Sequence, residues 1–270
     1  KKKNKKKWTN FTHNGVLFHY PYIPHKTPII YNNKKIMLSP IAEEYASLYA
    51  KCIDSCNITN KFIRNFWNSW KPTLKNTIIK NFDSCDFTLI KKYMEQKKEH
   101  RSSIPLEERK KKSSIKSSII DDFRTAKLDN NVQKVGNVIV EPPGIFIGRG
   151  THPKMGTIKT RINPENVTIN IEKDAIVPNP KYLSRENKLI TMKNNTWGEI
   201  IHDNTVEWVA SWTDNVSGKK KYVWLSDACK FKASSDMKKF DIARKLKKKI
   251  GYIRTNIGEL IDSSEIKESQ

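Results

Sequence analysis

Glu141-Pro-Pro-Gly-Ile-Phe-Ile-Gly-Arg-Gly-Thr-His-Pro-Lys-Met-Gly156 is the stretch around which the rest of the chain is organised. It holds four of the chain's ten glycines and three of its twelve prolines. Gly148 and Gly150 flank Arg149, so the backbone there can take positive φ and come close to a partner. Pro142, Pro143 and Pro153 lack backbone donors and stiffen the loop ends. A stiff loop that presents one arginine with bare backbone on both sides suits a phosphate or a groove edge. On composition alone it is equally well an ordinary Gly/Pro connection between strands.

Downstream of Asp129 the pattern has period two, as strands require. Val138 to Val140 leads into the loop, and Thr157 to Ile162 and Val167 to Ile171 follow it. Pro178 to Asn195 reads as a polar loop. Thr196 to His202 and Thr205 to Trp212 read as strands, and Lys219 to Leu225 returns after the turn Asp214 to Gly218.

Upstream the period is helical. Ser39-Pro40 supplies a capping hydroxyl and a proline at the first helical position, and Glu43 and Glu44 suit the positive end of the dipole. Tyr45, Leu48, Tyr49, Cys52, Ile53 and Cys56 then share a face. A second helix begins near Thr59 or Asn60, buries Phe62, Ile63, Phe66, Trp67 and Trp70, and ends at Pro72. The helical spacing of these aromatics marks them as core rather than base-stacking groups.

Phe87 to Ala126 reads as two long, highly charged helices broken near Ile104-Pro105. Their thin apolar stripe is Ile90, Met94, Leu106, Ile115, Ile119 and Phe123, so they should project from the body. A last helix, Asp236 to Leu260, is amphipathic and basic, and Gly251 and Gly258 weaken its second half.

The 270 residues carry 51 Lys and Arg against 28 Asp and Glu, a net charge of +23. Such a balance points to nucleic acid, an anionic membrane or an acidic partner. No run approaches the roughly 18 apolar residues of a membrane span, and no signal peptide is visible. Lys1 to Lys7 reads either as a disordered basic tail, able to touch nucleic acid or direct nuclear import, or as a solvated linker. The first residue is lysine, which reads as a chain that starts inside a longer protein. Cys52, Cys56, Cys85 and Cys229 include no second close pair to complete a zinc site and read as reduced, mostly buried thiols. The six histidines show no metal-ligand spacing, and no Walker loop, dinucleotide fingerprint or nucleophile elbow is present. The simplest physical reading is a surface for a polyanion, held mainly through phosphates.

The stretch Glu141 to Gly156 resembles the signature loop of eukaryotic type IB DNA topoisomerases, E-P-P-G-[LI]-F-x-G-R-G-x-H-P-x-x-G, with every fixed position met. The family usually has a basic residue where Ile147 stands. Further matches are W-x-x-x-x-H-x-G-x-x-F at Trp8 to Phe18, Ser39-Pro-x-Ala-Glu-Glu44, Cys85-Asp-Phe-Thr88, Trp208-Val-Ala-Ser-Trp-Thr-Asp-Asn215, Lys221-Tyr222 and Asp241-Ile-Ala-Arg-Lys-Leu-Lys-Lys248. The resemblance runs from Trp8 to about Ile253.

The resemblance implies an α+β fold in which a helical cap piece is inserted into a mostly antiparallel β piece carrying the signature loop. Residues 1–7 would be the basic tail, 8–24 and 127–229 the β cap subdomain, 25–126 the helical cap subdomain, and 230–270 the start of the catalytic core. It implies the upper half of a clamp that encloses duplex DNA in the nucleus. The whole enzyme would relax supercoils through a transient 3′-phosphotyrosine, without ATP, metal or cofactor. The family's catalytic arginines, lysine, histidine and tyrosine would lie in a C-terminal part, because its L-R-x-G-N-E motif is absent here; the fragment alone should be inactive. DNA contacts would fall on Arg101, Arg149, Trp208, Lys221, Tyr222 and Lys239, with Phe146 and Gly148 supporting the loop. Arg149 lies where family members also meet camptothecin-type inhibitors. The alternative is a non-enzymatic basic chromatin or RNA-binding module. Residues alone select Arg149 and the basic helix face; Arg101, Trp208 and Tyr222 rest on the resemblance.

Overall fold

The computed structural model describes residues 6–53, 58–226 and 230–268. Cys56, Cys229 and residues 1–5 of the basic tail lie outside them. The chain divides into two compact units, Lys1–Trp224 and Leu225–Gln270. The fold is mixed α+β.

The first unit opens with strands β1 (Phe11–His13), β2 (Leu17–His19), β3 (Ile29–Tyr31) and β4 (Lys34–Ile36). Helices α1 (Pro40–Cys52) and α2 (Asn60–Trp70) follow, then β5 (Cys85–Asp86), α3 (Thr88–Ser103) and α4 (Leu106–Asp121). The chain returns through β6 (Thr125–Leu128), β7 (Asn131–Lys134), β8 (Gly144–Ile145), β9 (Ile158–Lys159) and β10 (Val167–Asn170). It ends with β11 (Lys181–Leu183), β12 (Leu189–Thr191), β13 (Glu199–Ile201), β14 (Trp208–Thr213) and β15 (Lys220–Trp224). The second unit is one long helix, α5 (Lys230–Glu268).

The strands form small sheets, β1-β6-β7, β13-β10-β14-β15, β12-β11-β2, β4-β3-β5 and β8-β9. Pairing is antiparallel except for β2 with β11 and β10 with β13. Thus β1, before the helices, is closed by β6, after them, with Phe11 opposite Leu128. Lys7 is already tied down, since its N–H donates to the Asn204 carbonyl and its ammonium pairs with Glu207 at 2.7 Å.

The helical core is aromatic. Phe62, Phe66 and Trp70 are fully buried along one side of α2. Tyr49 stacks on Phe66 at 4.5 Å and Phe66 on Trp70 at 5.6 Å. Burying each such side chain stabilises by about 1.5–3 kcal/mol. The caps stand where the sequence places them, with Ser39 Oγ accepting from Ala42 N–H and Thr59 Oγ1 from Phe62 N–H. Pro72 falls in a short 3₁₀ turn, Lys71–Leu74, just past the end of α2.

The face of α1 differs from the expected one. Its most buried residues are Ala42, Glu43, Ala46, Ser47, Tyr49 and Ala50, while Tyr45 and Leu48 are half-buried. Small alanines allow close approach, and Trp70 Nε1 donates to the Ala42 carbonyl at 3.0 Å. Glu43 is 1% exposed rather than a solvated dipole partner. Its carboxylate accepts from Tyr22 Oη (2.8 Å), His25 N–H (2.7 Å) and Lys26 N–H (2.9 Å), which fixes the loop between β2 and β3.

Helices α3 and α4 meet the expected break at Ile104, and most of their residues are exposed. Only Ile90 of α3 and Ile120 of α4 are buried; Leu106 and Ile115 of the expected stripe are exposed. Pro178 to Asn195 is not a plain loop, because it contains the hairpin β11–β12 packed in parallel register on β2. Three-residue strands are too short to show a period, and their partner lies far away in sequence. α5 overruns its expected ends and continues through Gly251 and Gly258. Phe240, Leu246, Ile250 and Ile257 on it are exposed among lysines. Cys52 and Cys85 are half-buried thiols, and burial pushes the Cys85 thiol up to about 12.

Candidate nucleic-acid interface

The Gly-Arg-Gly loop runs between β8 and β9. Its base is closed by backbone: Phe146 N–H donates to Thr157 O and Gly156 N–H to Phe146 O, both at 2.8 Å. Within it, His152 Nδ1 accepts from Lys154 N–H at 3.1 Å, and the His152 ring stands edge-on to Phe146 at 4.8 Å. Gly148 has φ +71°, and a Cβ there would sit 2.8 Å from that of His152. Phe146, Gly148 and His152 thus form a closed knot that sets the tip.

Two elements hold the loop from outside. From α2, Asn65 Nδ2 donates to the carbonyls of Pro153 (2.9 Å) and Met155 (2.7 Å), and Ser69 Oγ accepts from Ile158 N–H. Gly156, at φ +90°, lies so close to α2 that a Cβ would be 2.2 Å from the Phe62 carbonyl oxygen. From the turn after β14, Asn215 Nδ2 donates to Ile158 O (2.9 Å) while its Oδ1 accepts from Thr160 N–H (3.2 Å). The Lys154 ammonium donates to the Val216 carbonyl of the same turn.

The loop's charges are largely committed. Glu141 accepts two bonds from Lys221 Nζ, at 2.7 and 2.6 Å, and Lys159 is 3.6 Å from the same carboxylate. Arg161, just beyond, donates to the carbonyls of His19 and Tyr20 and to Glu44 at 2.5 Å. Arg149 at the tip is exposed and has no hydrogen bond or ion pair among the described residues.

The β14–β15 hairpin places Trp208, Lys221 and Tyr222 together. Trp208 and Tyr222 are 5.5 Å apart, and Tyr222 and Trp224 also 5.5 Å. Tyr222 is 41% exposed and Trp208 only 8%, so the tyrosine presents the surface and the tryptophan backs it. Lys221 joins this hairpin to the signature loop through Glu141. Arg101 is exposed at the end of α3 and borders a cavity of about 710 Å³ that Pro142 and Pro143 also line. Lys239 is exposed on α5, in the second unit.

Sequence reading missed the residues that hold the loop. Asn215 lay inside a quoted motif without a role. Glu141 gave no charge signal because its partner stands on another strand. Asn65 carries no local signal at all. Among the described residues no cluster of His, Cys, Asp and Glu could hold a metal ion, and no helix is long and apolar enough to cross a membrane.

A braced loop whose arginine has no partner among the described residues, with an exposed tyrosine on a cationic hairpin, is chemistry suited to the phosphates of a polyanion. A family model described as the DNA-binding fragment of eukaryotic DNA topoisomerase I matches residues 6–225, and the chain belongs to this family. DNA topoisomerase 1 of Homo sapiens is 36% identical over 270 residues, covering 98% of this chain and 34% of that protein. DNA topoisomerase 1 beta of Arabidopsis thaliana is 38% identical over 268 residues, 98% of this chain and 28% of that protein. DNA topoisomerase 1 of Caenorhabditis elegans is 37% identical over 270 residues, 98% of this chain and 32% of that protein. The chain spans about a third of the length of the curated relatives it matches.

Proposed function

We propose that this chain is the DNA-gripping cap of a nuclear type IB topoisomerase, the upper half of a clamp around duplex DNA. The observation that carries this reading is Arg149, a cation without an ion-pair partner among the described residues, at the tip of a loop held on one side by Asn65 and on the other by Asn215. Holding an arginine in place before the ligand arrives reduces the ordering cost of binding. Its planar fork suits a phosphate oxygen pair.

In this reading Arg149 grips the backbone near the cleaved phosphodiester, with Phe146 and Gly148 shaping its approach. Tyr222 and Lys221 contact the duplex from the hairpin, Trp208 backs Tyr222, Arg101 adds a contact from the end of α3, and Lys239 is a contact of the second unit by itself. The C-terminal part of the same protein supplies the tyrosine nucleophile and the residues that serve the transfer. The cap contributes position and charge, not bond making, and needs neither metal nor cofactor for that work.

The test is plasmid relaxation by the full-length protein carrying Arg149→Ala. The expected result is a loss of relaxation with an unchanged melting temperature, since Arg149 is exposed and has no hydrogen bond or ion pair among the described residues. Wild-type relaxation by the variant would overturn the assignment of Arg149. Binding to duplex DNA, single-stranded DNA and duplex RNA should favour the first. Equal binding to all three would support a generic basic chromatin or RNA-binding module instead.

A further inference from the structure

The hairpin β11–β12 stands outside the interface described above, yet it is built as a strut. Its base is β11, paired in parallel with β2. Its turn is closed by Ser184, whose N–H donates to Lys188 O at 2.9 Å and whose Oγ accepts from Lys188 N–H at 3.1 Å. From that turn Asn187 Nδ2 donates to the Lys112 carbonyl of α4 at 3.0 Å. The hairpin therefore links the β body to the projecting helix α4.

This placement sets Arg185 on the wall of the cavity of about 710 Å³, which Lys98 and Arg101 of α3 also line. The Arg185 guanidinium lies over the Tyr20 ring, 5.0 Å from its centroid. An arginine stacked in this way is oriented by its face and keeps its N–H edges for an anion. Lys98, Arg101 and Arg185 have no carboxylate within ion-pair distance among the described residues. Arg161, on the same wall, is already spent on Glu44 and two carbonyls. Burial, with the nearby charges of Arg161 and Lys116, holds His19 below its usual range, so the wall has no further cation from that ring at neutral pH.

Two carboxylates also line the concavity, Glu44, which Arg161 holds, and Glu95; against them Lys97, Lys98, Arg101 and Arg185 leave an excess of positive charge that fits the oxygens of a phosphate group. Pro142 and Pro143 of the signature stretch form part of the same rim, so the cavity borders the base of the loop that carries Arg149. We propose that this cavity is a second seat for the DNA backbone phosphate, completed by Arg185 from the strut. The inference rests on the DNA-cap reading given above.

The experiment is duplex binding by the full-length protein across a salt series. Arg185→Ala should make the log–log slope shallower by about 0.9, the value of one phosphate contact. Arg185→Lys keeps the charge and should restore the slope. Arg185 is exposed, so both variants should melt as the wild type does. A slope unchanged by Arg185→Ala, in a protein that otherwise prefers duplex DNA, overturns this inference alone. A wild-type protein with no duplex preference overturns both this inference and the cap assignment.

Discussion

Gly156→Ala offers a direct test of how the signature loop is held. Gly156 is buried at φ +90°, and an added Cβ would meet the Phe62 carbonyl oxygen at 2.2 Å and the Phe62 carbonyl carbon and Cα at 2.8 Å. The obstacle is helix backbone, which cannot rotate away, so a gap of roughly 1 Å must open between loop and helix. Left-handed backbone costs an L-residue about 1–2 kcal/mol, and forced overpacking about 1–3 kcal/mol. Gly150→Ala is the control, since φ there is +58° with nothing within 4 Å of the built Cβ. It should show only the backbone cost, about 1–2 kcal/mol. Gly156→Ala should therefore lose about 2–5 kcal/mol in all, and at about 2–4 °C per kcal/mol for a unit of this size the two melting curves separate clearly. Thermal melts and urea titrations of both variants measure the difference. If Gly156→Ala is no less stable than Gly150→Ala, the close packing of loop on α2 is not what fixes the loop.

Two further outcomes follow from buried polar groups. His13 Nε2 donates to Asn170 O at 2.8 Å and its Nδ1 accepts from Gly15 N–H at 3.0 Å, while burial pushes its pKa down to about 4. The unfolded ring binds its proton near 6.5, so this contribution to stability is complete above that pH and is lost as pH falls from 6.5 towards 4. The loss is on the order of 3 kcal/mol, and urea titrations at stepped pH should show it shrinking in His13→Gln. Glu43→Ala leaves the Tyr22 hydroxyl and two backbone N–H groups without their acceptor, which costs about 3 kcal/mol or more. A calorimetric scan against Glu43→Gln checks this, with the amide expected to retain part of the stability.

Local rules made the helices readable. The Ser39 and Thr59 caps, the aromatic period of Phe62, Phe66 and Trp70, and the break at Ile104-Pro105 all act within a few residues. The same rules misplaced the buried face of α1, because the small alanines and Glu43 are inside for reasons set by Trp70 and by the loop at Tyr22 to Lys26. The β11–β12 hairpin escaped notice because its stabilising partner, β2, lies at the other end of the first unit. At the candidate site, Arg149 was legible from glycine and charge alone. The Glu141–Lys221 pair and the Asn65 and Asn215 clamps were not, since each depends on which strands and helices become neighbours. A polar residue that holds a distant carbonyl looks, in sequence, like any other surface asparagine.

The double clamp on the signature loop also governs how the first unit can come apart. Asn65 and Ser69 belong to the helical insertion, and Asn215 and Val216 to the last hairpin of the β part. The loop between them is a rivet common to both, so neither part can swing away without tearing bonds from the same short loop. Local opening is cheap only where few contacts are shared. Here the signature loop inherits the rigidity of the aromatic core beneath it and loosens only when that core does.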